Sequence, residues 1–263
     1  MRALSNYHSH TIWCDGKDRP EDMVLEAIRL GCPELGFSGH SYVDFDDCCM
    51  TREGTEGYIR EIHALREKYQ DRIRIRLGIE QDFYSSMPTA PYEYVIGSVH
   101  YLYREGKYLS VDESRESQVA AVQEYYGGDW YAFAEDYFQT MARVHEKTGC
   151  QIVGHFDLLT KFNEGDRLFD TGHPRYRQAA LEALDRLCWA PVAFEINTGA
   201  MARGYRITPY PAPFLLEELQ TRKVPLILSS DCHDKRYLLY GLDQFAALPH
   251  VELDQILTQN GAD

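Results

Sequence analysis

The chain has 263 residues, 44% hydrophobic and 26% charged, which suits one barrel-sized soluble domain that needs no disulfide staples. Its formal net charge of -14, with no run of lysine and arginine, argues against nucleic acid and anionic membrane as partners. Seven irregularly spaced cysteines without a C-x-x-C pair exclude a zinc ribbon and fit free thiols in a reducing cytosol. The opening MRALSNYHSH has no apolar signal core, and no run of about 18 apolar residues occurs. Neither export nor a membrane span is therefore expected, and the expected location is cytoplasmic.

In chain order, short apolar bursts alternate with helical patterns. A first strand is expected at about 3–8. Pro20 then opens a helix that Gly31 ends, with Met23, Val24, Ala27 and Ile28 as its apolar stripe. A second strand at about 34–39 precedes a helix over Thr55–Gln70, with Ile59, Ile62 and Leu65 inward. The third strand, about 72–80, alternates most clearly: Ile73, Ile75, Leu77 and Ile79 face one way and Arg72, Arg74 and Arg76 the other. A fourth follows at about 94–99. Residues 101–147 form the longest excursion between strands, an insertion suited to a lid or substrate-binding element, and a helix is expected over Trp130–Thr148. Strands at about 151–155, 192–197 and 225–230 complete the set, separated by helices over His173–Cys188 and Pro211–Arg222. Seven strands alternating with helices imply a parallel sheet in an α/β fold, and a βα barrel over one domain, 1–263, is the simplest closure.

The polar residues gather at one place on this map. The first strand ends in His8 and His10, the second in His40, the third in Glu80, the fourth in His100, the fifth in His155 and the seventh in Asp231 and His233. Asp15 sits in the loop after the first pair. Active sites of barrels are built at the carboxyl ends of the strands, and scattered core histidines have no reason to cluster there. Residues i and i+2 of a strand face the same way, so His8 and His10 can share an ion, as can Asp231 and His233 if their segment stays extended. Imidazole with carboxylate suits zinc, iron or manganese. Nine ligands are too many for one tetrahedral ion, so two or three divalent transition metal ions are expected, with Glu80 able to bridge two. Such a centre makes hydroxide available at neutral pH without a serine or cysteine nucleophile. No G-x-S-x-G, Walker-type or H-E-x-x-H motif competes.

With these residues in place the sequence resembles the PHP (polymerase and histidinol phosphatase) family of metallophosphoesterases, from Y-H-S-H-T at the start to S-S-D-C-H near the end. The segments G-S-V-H ending at His100, Y-Y-G-G-D ending at Asp129, G-H-F-D ending at Asp157, E-I-N-T starting at Glu195 and Pro209-Tyr210-Pro211 look most like its histidinol-phosphate phosphatases. The resemblance implies a distorted (β/α)7 barrel with a trinuclear centre. One ion would take His8, His10, Glu80 and Asp231. A second would share Glu80 and take His100 and His155, and a third would take Asp15, His40 and His233. Many relatives carry histidine where this chain has Asp15. The resemblance further implies that Arg203 and Lys161 contact a substrate phosphate, the lysine as a point charge where relatives carry arginine.

The activity implied is hydrolysis of a small anionic phosphomonoester, L-histidinol phosphate, to L-histidinol and phosphate in histidine biosynthesis, by a metal-bridging hydroxide attacking in line. Asp15, Asp231 and His233 are the candidates for protonating the leaving alkoxide. The alternatives are a PHP phosphoesterase acting on nucleotides or phosphodiesters, or a non-catalytic PHP module serving a polymerase; the early end after the seventh strand and the intact ligand set oppose the latter. No feature of the sequence sets an oligomeric state. His63, His145, His173 and His250 read as helix-surface or packing residues. The run Asp44, Asp46 and Asp47 reads as a solvated loop, one of which could read a cationic part of a substrate. Most aromatics over 101–138 read as core, with a minority able to line a pocket for an imidazole ring. Cys14 and Cys232 flank ligands without being expected to bind metal.

Overall fold

Buried apolar runs set the architecture. In the computed structural model, which describes residues 3–260, six parallel strands form one sheet. They run in the order β1 (Glu34–Phe37), β2 (Arg74–Asp82), β3 (Tyr94–Ser98), β6 (Ile152–Val153), β7 (Ala193–Asn197) and β8 (Leu226–Ser229). Residues 1–2 and 261–263, the ends of the expected 1–263 domain, lie outside the described residues. Every residue of these strands except Arg74 is buried, as parallel strands covered on both faces require.

The amino-terminal segment curls the sheet into a barrel. Asn6 pairs in parallel with Leu35 of β1, and Ser9 pairs in parallel with Cys232 just past β8. The Gly36 N–H donates to the Asn6 carbonyl and the His10 N–H to the Cys232 carbonyl, each at 2.8 Å. Residues 6–9 thus occupy the gap between the two sheet edges, the place of the expected first strand.

Helix α1 (Pro20–Arg29) follows the closing segment, and α2 (Arg52–Tyr69), α6 (Pro174–Leu187) and α8 (Pro213–Thr221) come after β1, β6 and β7, as connections between parallel strands require; α7 (Gly199–Ala202) and α9 (Leu242–Phe245) are single turns after β7 and β8. The Thr51 side chain caps α2 by accepting from the Gly54 N–H. Below the site, Tyr7, Tyr94, Ile96, Ile152, Ala193 and Ile227 fill the barrel, and Leu253 and Ile256 of α10 (Leu253–Asn260) pack against them. The Tyr94 ring crosses the interior and its hydroxyl donates to the Tyr7 carbonyl at 2.6 Å. Gly78 makes room for it: a Cβ there would collide with the ring.

Between β3 and β6 lie a hairpin of β4 (Tyr101–Arg104) and β5 (Lys107–Ser110), then α3 (Arg115–Tyr126), α4 (Trp130–Met141) and α5 (Val144–Thr148). The single helix expected over 130–148 is two. Arg143, at φ -109° and ψ 3°, leaves the helical region and breaks it. Arg76 also departs from expectation. It is buried, because Glu34, Glu93 and Asp254 surround its guanidinium. Among the described residues no helix is long and apolar enough to cross a membrane.

Candidate metal centre

Strand ends carry the cluster. His8 and His10 come from the closing segment, His40 from the loop after β1, Glu80 from β2, His100 from the turn after β3, and His155 from the loop just past β6. Asp231 and His233 follow β8. Asp231 has φ 46°, a left-handed conformation that a non-glycine residue adopts at a cost of roughly 1 kcal/mol or more. Gly199 leaves its carboxylate space, since a Cβ at 199 would lie 2.7 Å from Asp231 Oδ2.

Glu80 is the hub. Its Oε2 lies 3.1 Å from His8 Nε2, 3.4 Å from His10 Nε2 and 3.0 Å from His40 Nδ1. Its Oε1 lies 3.3 Å from His100 Nε2 and 2.8 Å from His155 Nε2, and accepts from the Ser98 hydroxyl at 2.6 Å. One carboxylate thus turns each oxygen toward a different set of imidazoles. Asp231 Oδ1 stands 3.3 Å from His10 Nε2 and 3.7 Å from His8 Nε2. Asp15 faces His233 Nε2 at 3.1 Å, His40 Nε2 at 3.6 Å and His10 Nδ1 at 3.7 Å. Three sets have their ligand atoms within 4.8 Å of one another: His8, His10 and Asp231; His40, Glu80 and His100; and His10, Asp15, His40 and His233. His40 therefore stands between Glu80 and Asp15 rather than with Asp15 alone.

The electrostatics match a cation site. Burial opposes charge on His8, yet Glu195, Glu80 and Asp231 outweigh it and hold its pKa well above the usual value. His100 is raised in the same way, against burial, by Glu80 and Asp82. His10 is pushed down to about 3 by burial and by His233 and His40. Glu80 and Asp231 are held well below the ordinary carboxylate range against burial, Glu80 chiefly by His8, His40 and His100, and Asp231 chiefly by Arg203 and His8. Carboxylates that draw protons onto imidazoles also draw divalent ions in competition with those protons. His8 Nε2, His10 Nε2 and Glu80 Oε2 are buried without a hydrogen-bond partner, which buried polar atoms rarely are. Nitrogen and oxygen donors converging without partners fit a divalent transition metal.

Two basic residues flank the cluster. Arg203 donates to the Asp231 carbonyl and to its Oδ2, both at 3.1 Å, and lies 3.0 Å from His233 Nδ1. Lys161 donates to the Asp112 carbonyl at 2.7 Å and to its Oδ2 at 3.0 Å. Both line a cavity of about 760 Å3 with Asp15, His40, Glu80, His100, His155, Asp231 and His233. Asp46 and Asp47 of the acidic run line the same cavity. There Phe45 stacks on Tyr108 at 3.6 Å, and the Tyr101 hydroxyl donates to Asp46 at 2.5 Å. Among the other histidines, His173 caps α6 by accepting from the Arg175 N–H, and His145 and His250 contact nearby backbone carbonyls.

Two residues of the centre were missed in the sequence. Glu195 on β7 lies 2.6 Å from His8 Nδ1, and Asp82 lies 3.2 Å from His100 Nδ1. A signal existed for each. Glu195 is a lone acid inside the apolar run A-F-E-I-N, and Asp82 is two residues from Glu80, on the same strand face.

A curled parallel barrel with histidines and carboxylates converging at its carboxyl end defines a class of metal-dependent hydrolases. The chain belongs to the PHP family: the PHP domain matches residues 6–199. It is 29% identical over 245 residues to the probable histidinol-phosphatase of Deinococcus radiodurans, covering 89% of this chain and 87% of that protein. A Listeria monocytogenes crystal structure, a candidate histidinol phosphatase, superposes with a TM-score of 0.80 at 19% identity, over 92% of this chain and 99% of that one. The Lactococcus lactis histidinol phosphate phosphatase, crystallised with zinc, L-histidinol and phosphate, gives 0.64 at 20% identity, over 98% and 90%.

Proposed function

We propose that this chain is a metal-dependent phosphomonoesterase that hydrolyses L-histidinol phosphate to L-histidinol and phosphate, as a step of histidine biosynthesis. The observation that carries the reading is Glu80, buried with five imidazole nitrogens divided between its two oxygens beside the basic Arg203. In this reading two or three ions of zinc, manganese or iron are held. His8, His10, Glu80 and Asp231 hold one, Glu80, His100 and His155 another, and Asp15, His40 and His233 a third, with His40 also within reach of Glu80. Such ions supply Lewis acidity that activates water and neutralises phosphoryl oxygens.

The chain's own residues do the rest. Arg203 offers a fork of donors to the phosphate, and Lys161 a point charge across the cavity once it leaves Asp112. Asp15, Asp231 and His233 stay the candidates for protonating the leaving alkoxide, and the His233–Asp15 pair, 3.1 Å apart, could serve only while no ion occupies that side of the centre. The Phe45–Tyr108–Tyr101 wall presents ring faces, and Asp46 an acid, to a flat basic organic group. The names of the relatives and the ligands of the Lactococcus protein support this substrate.

The test is phosphate release by protein purified with manganese or zinc, on L-histidinol phosphate, nucleoside monophosphates and a phosphodiester. Turnover of L-histidinol phosphate at least about tenfold above the others in kcat/KM is expected. Good turnover of another ester with none of histidinol phosphate contradicts the substrate. A folded protein without bound metal contradicts the centre itself and favours a binding module.

A further inference from the structure

An imidazole that ligates through one nitrogen needs the other held, because a free ring exchanges tautomers and rotates. Two buried carboxylates outside the nine-residue cluster hold rings here by one device. Glu195 accepts from His8 Nδ1 at 2.6 Å with one oxygen. Its other oxygen accepts the His155 backbone N–H and the Asn197 side-chain amide, both at 3.0 Å. Asp82 Oδ2 accepts both His100 Nδ1–H and the His100 backbone N–H at 3.2 Å, while its Oδ1 accepts the Tyr84 N–H at 2.8 Å. Each carboxylate grips a candidate ligand by ring or backbone. His155 alone of these three rings has a buried Nδ1 without a partner.

The consequence is directional. An ionised carboxylate only accepts, so the ring proton sits on Nδ1 and the Nε2 lone pair points inward. His8 Nε2 then faces Glu80 Oε2 and His100 Nε2 faces Glu80 Oε1, the two sides of the hub. Glu195 reaches both sides, because it also fixes the backbone of His155, whose Nε2 lies on the Oε1 side. Asp82 reaches only one.

We propose that Glu195 and Asp82 are positioning residues with separate reach: Glu195 sets the affinity of the ions on both sides of Glu80, and Asp82 that of the ion on the His100 side alone. The inference rests on the metal-centre reading above.

Isosteric amides break the device. Every acceptor oxygen of these two carboxylates faces a donor, so Glu195→Gln or Asp82→Asn sets an NH2 against a donor in either orientation. The test is zinc titration of metal-free protein against a competing chelator, without substrate, alongside the melting temperature of the metal-free forms. Asp82→Asn is expected to weaken one zinc equivalent about 10–100-fold and leave the others at wild-type affinity. Glu195→Gln is expected to weaken two by similar factors, and both metal-free variants to stay cooperatively folded while melting a few degrees below wild type, because buried donors are left unmatched. If Glu195→Gln does not fold, Glu195→Asp, which keeps the charge but withdraws it from His8, should show the same pattern at smaller size. Wild-type affinities in both variants, or equal weakening of all equivalents, overturn the proposal. Failure of the wild type to bind zinc overturns the metal-centre reading, and this inference with it.

Discussion

At the amino end of the barrel Arg76 is buried among Glu34, Glu93 and Asp254, and the Tyr7 hydroxyl lies 2.9 Å from Glu34 and 2.8 Å from Glu252. At the carboxyl end Glu80 is buried among five histidines, and the inward nitrogens of His8 and His10 have no hydrogen-bond partner. Both ends bury acids, and each has a guanidinium, but the lower end closes its acids around Arg76 while at the upper end Arg203 reaches Asp231 and leaves Glu80 facing imidazoles. A charge network closed on itself locks α10 under the barrel and belongs to stability. A network left open at its centre can be completed by a cation and belongs to function.

Substitutions at the two ends should separate these roles. Glu80→Ala should lose bound metal and phosphatase activity together, by about 1000-fold or more in kcat/KM, since several kcal/mol of charge stabilisation go with the ions. The metal-free variant should still fold, with a lower melting temperature because His8, His100 and the Ser98 hydroxyl lose a buried partner. Retention of full metal content by this variant, read by elemental analysis, contradicts the hub. Arg76→Ala is the converse. Removing one partner of a buried pair costs about 3–5 kcal/mol, and partial exposure of Asp254 puts this case near the lower end. Denaturant unfolding should show a loss of about 3 kcal/mol, with metal stoichiometry unchanged.

Smaller effects refine the upper end. Gly199→Ala should disturb Asp231 by contact and lower kcat/KM about 10-fold or more, while Gly→Ala at exposed Gly106 changes nothing catalytic. Arg203→Ala should raise KM about 10–100-fold with metals retained if its guanidinium binds the phosphate as proposed. Lys161→Ala should raise it less, about 3–10-fold, since a lysine already paired with Asp112 contributes only a point charge. Steady-state kinetics on L-histidinol phosphate order the two, and a larger effect at Lys161 would reverse the assignment.

Much of the upper end was legible because parallel strands announce themselves as apolar bursts, and a histidine or acid after six of the seven bursts has one place to go. His8, His10, His40, Glu80, His100, His155, Asp231, His233 and Asp15 do converge. What periodicity could not show was how they divide. His40 sits against Glu80 as closely as against Asp15 because the end of β1 runs beside β2, bridging His40 to Glu80. The hairpin and α3 were read only as an insertion. In α3 the apolar residues Val119, Ala120, Ala121 and Val122 run consecutively instead of forming a stripe, and its start is set by the Ser114–Ser117 capping box. Arg76 and Glu195 were hidden for a shared reason. A charge within a buried strand is tolerated only through partners distant in sequence, which one strand's pattern cannot display.

The account stands most directly on one quantity, the divalent metal bound per chain after purification in the presence of zinc or manganese and exhaustive desalting. Two or three equivalents in the wild type, falling to one or fewer in Glu80→Ala, are the expected result. A folded wild-type chain that retains none would contradict it.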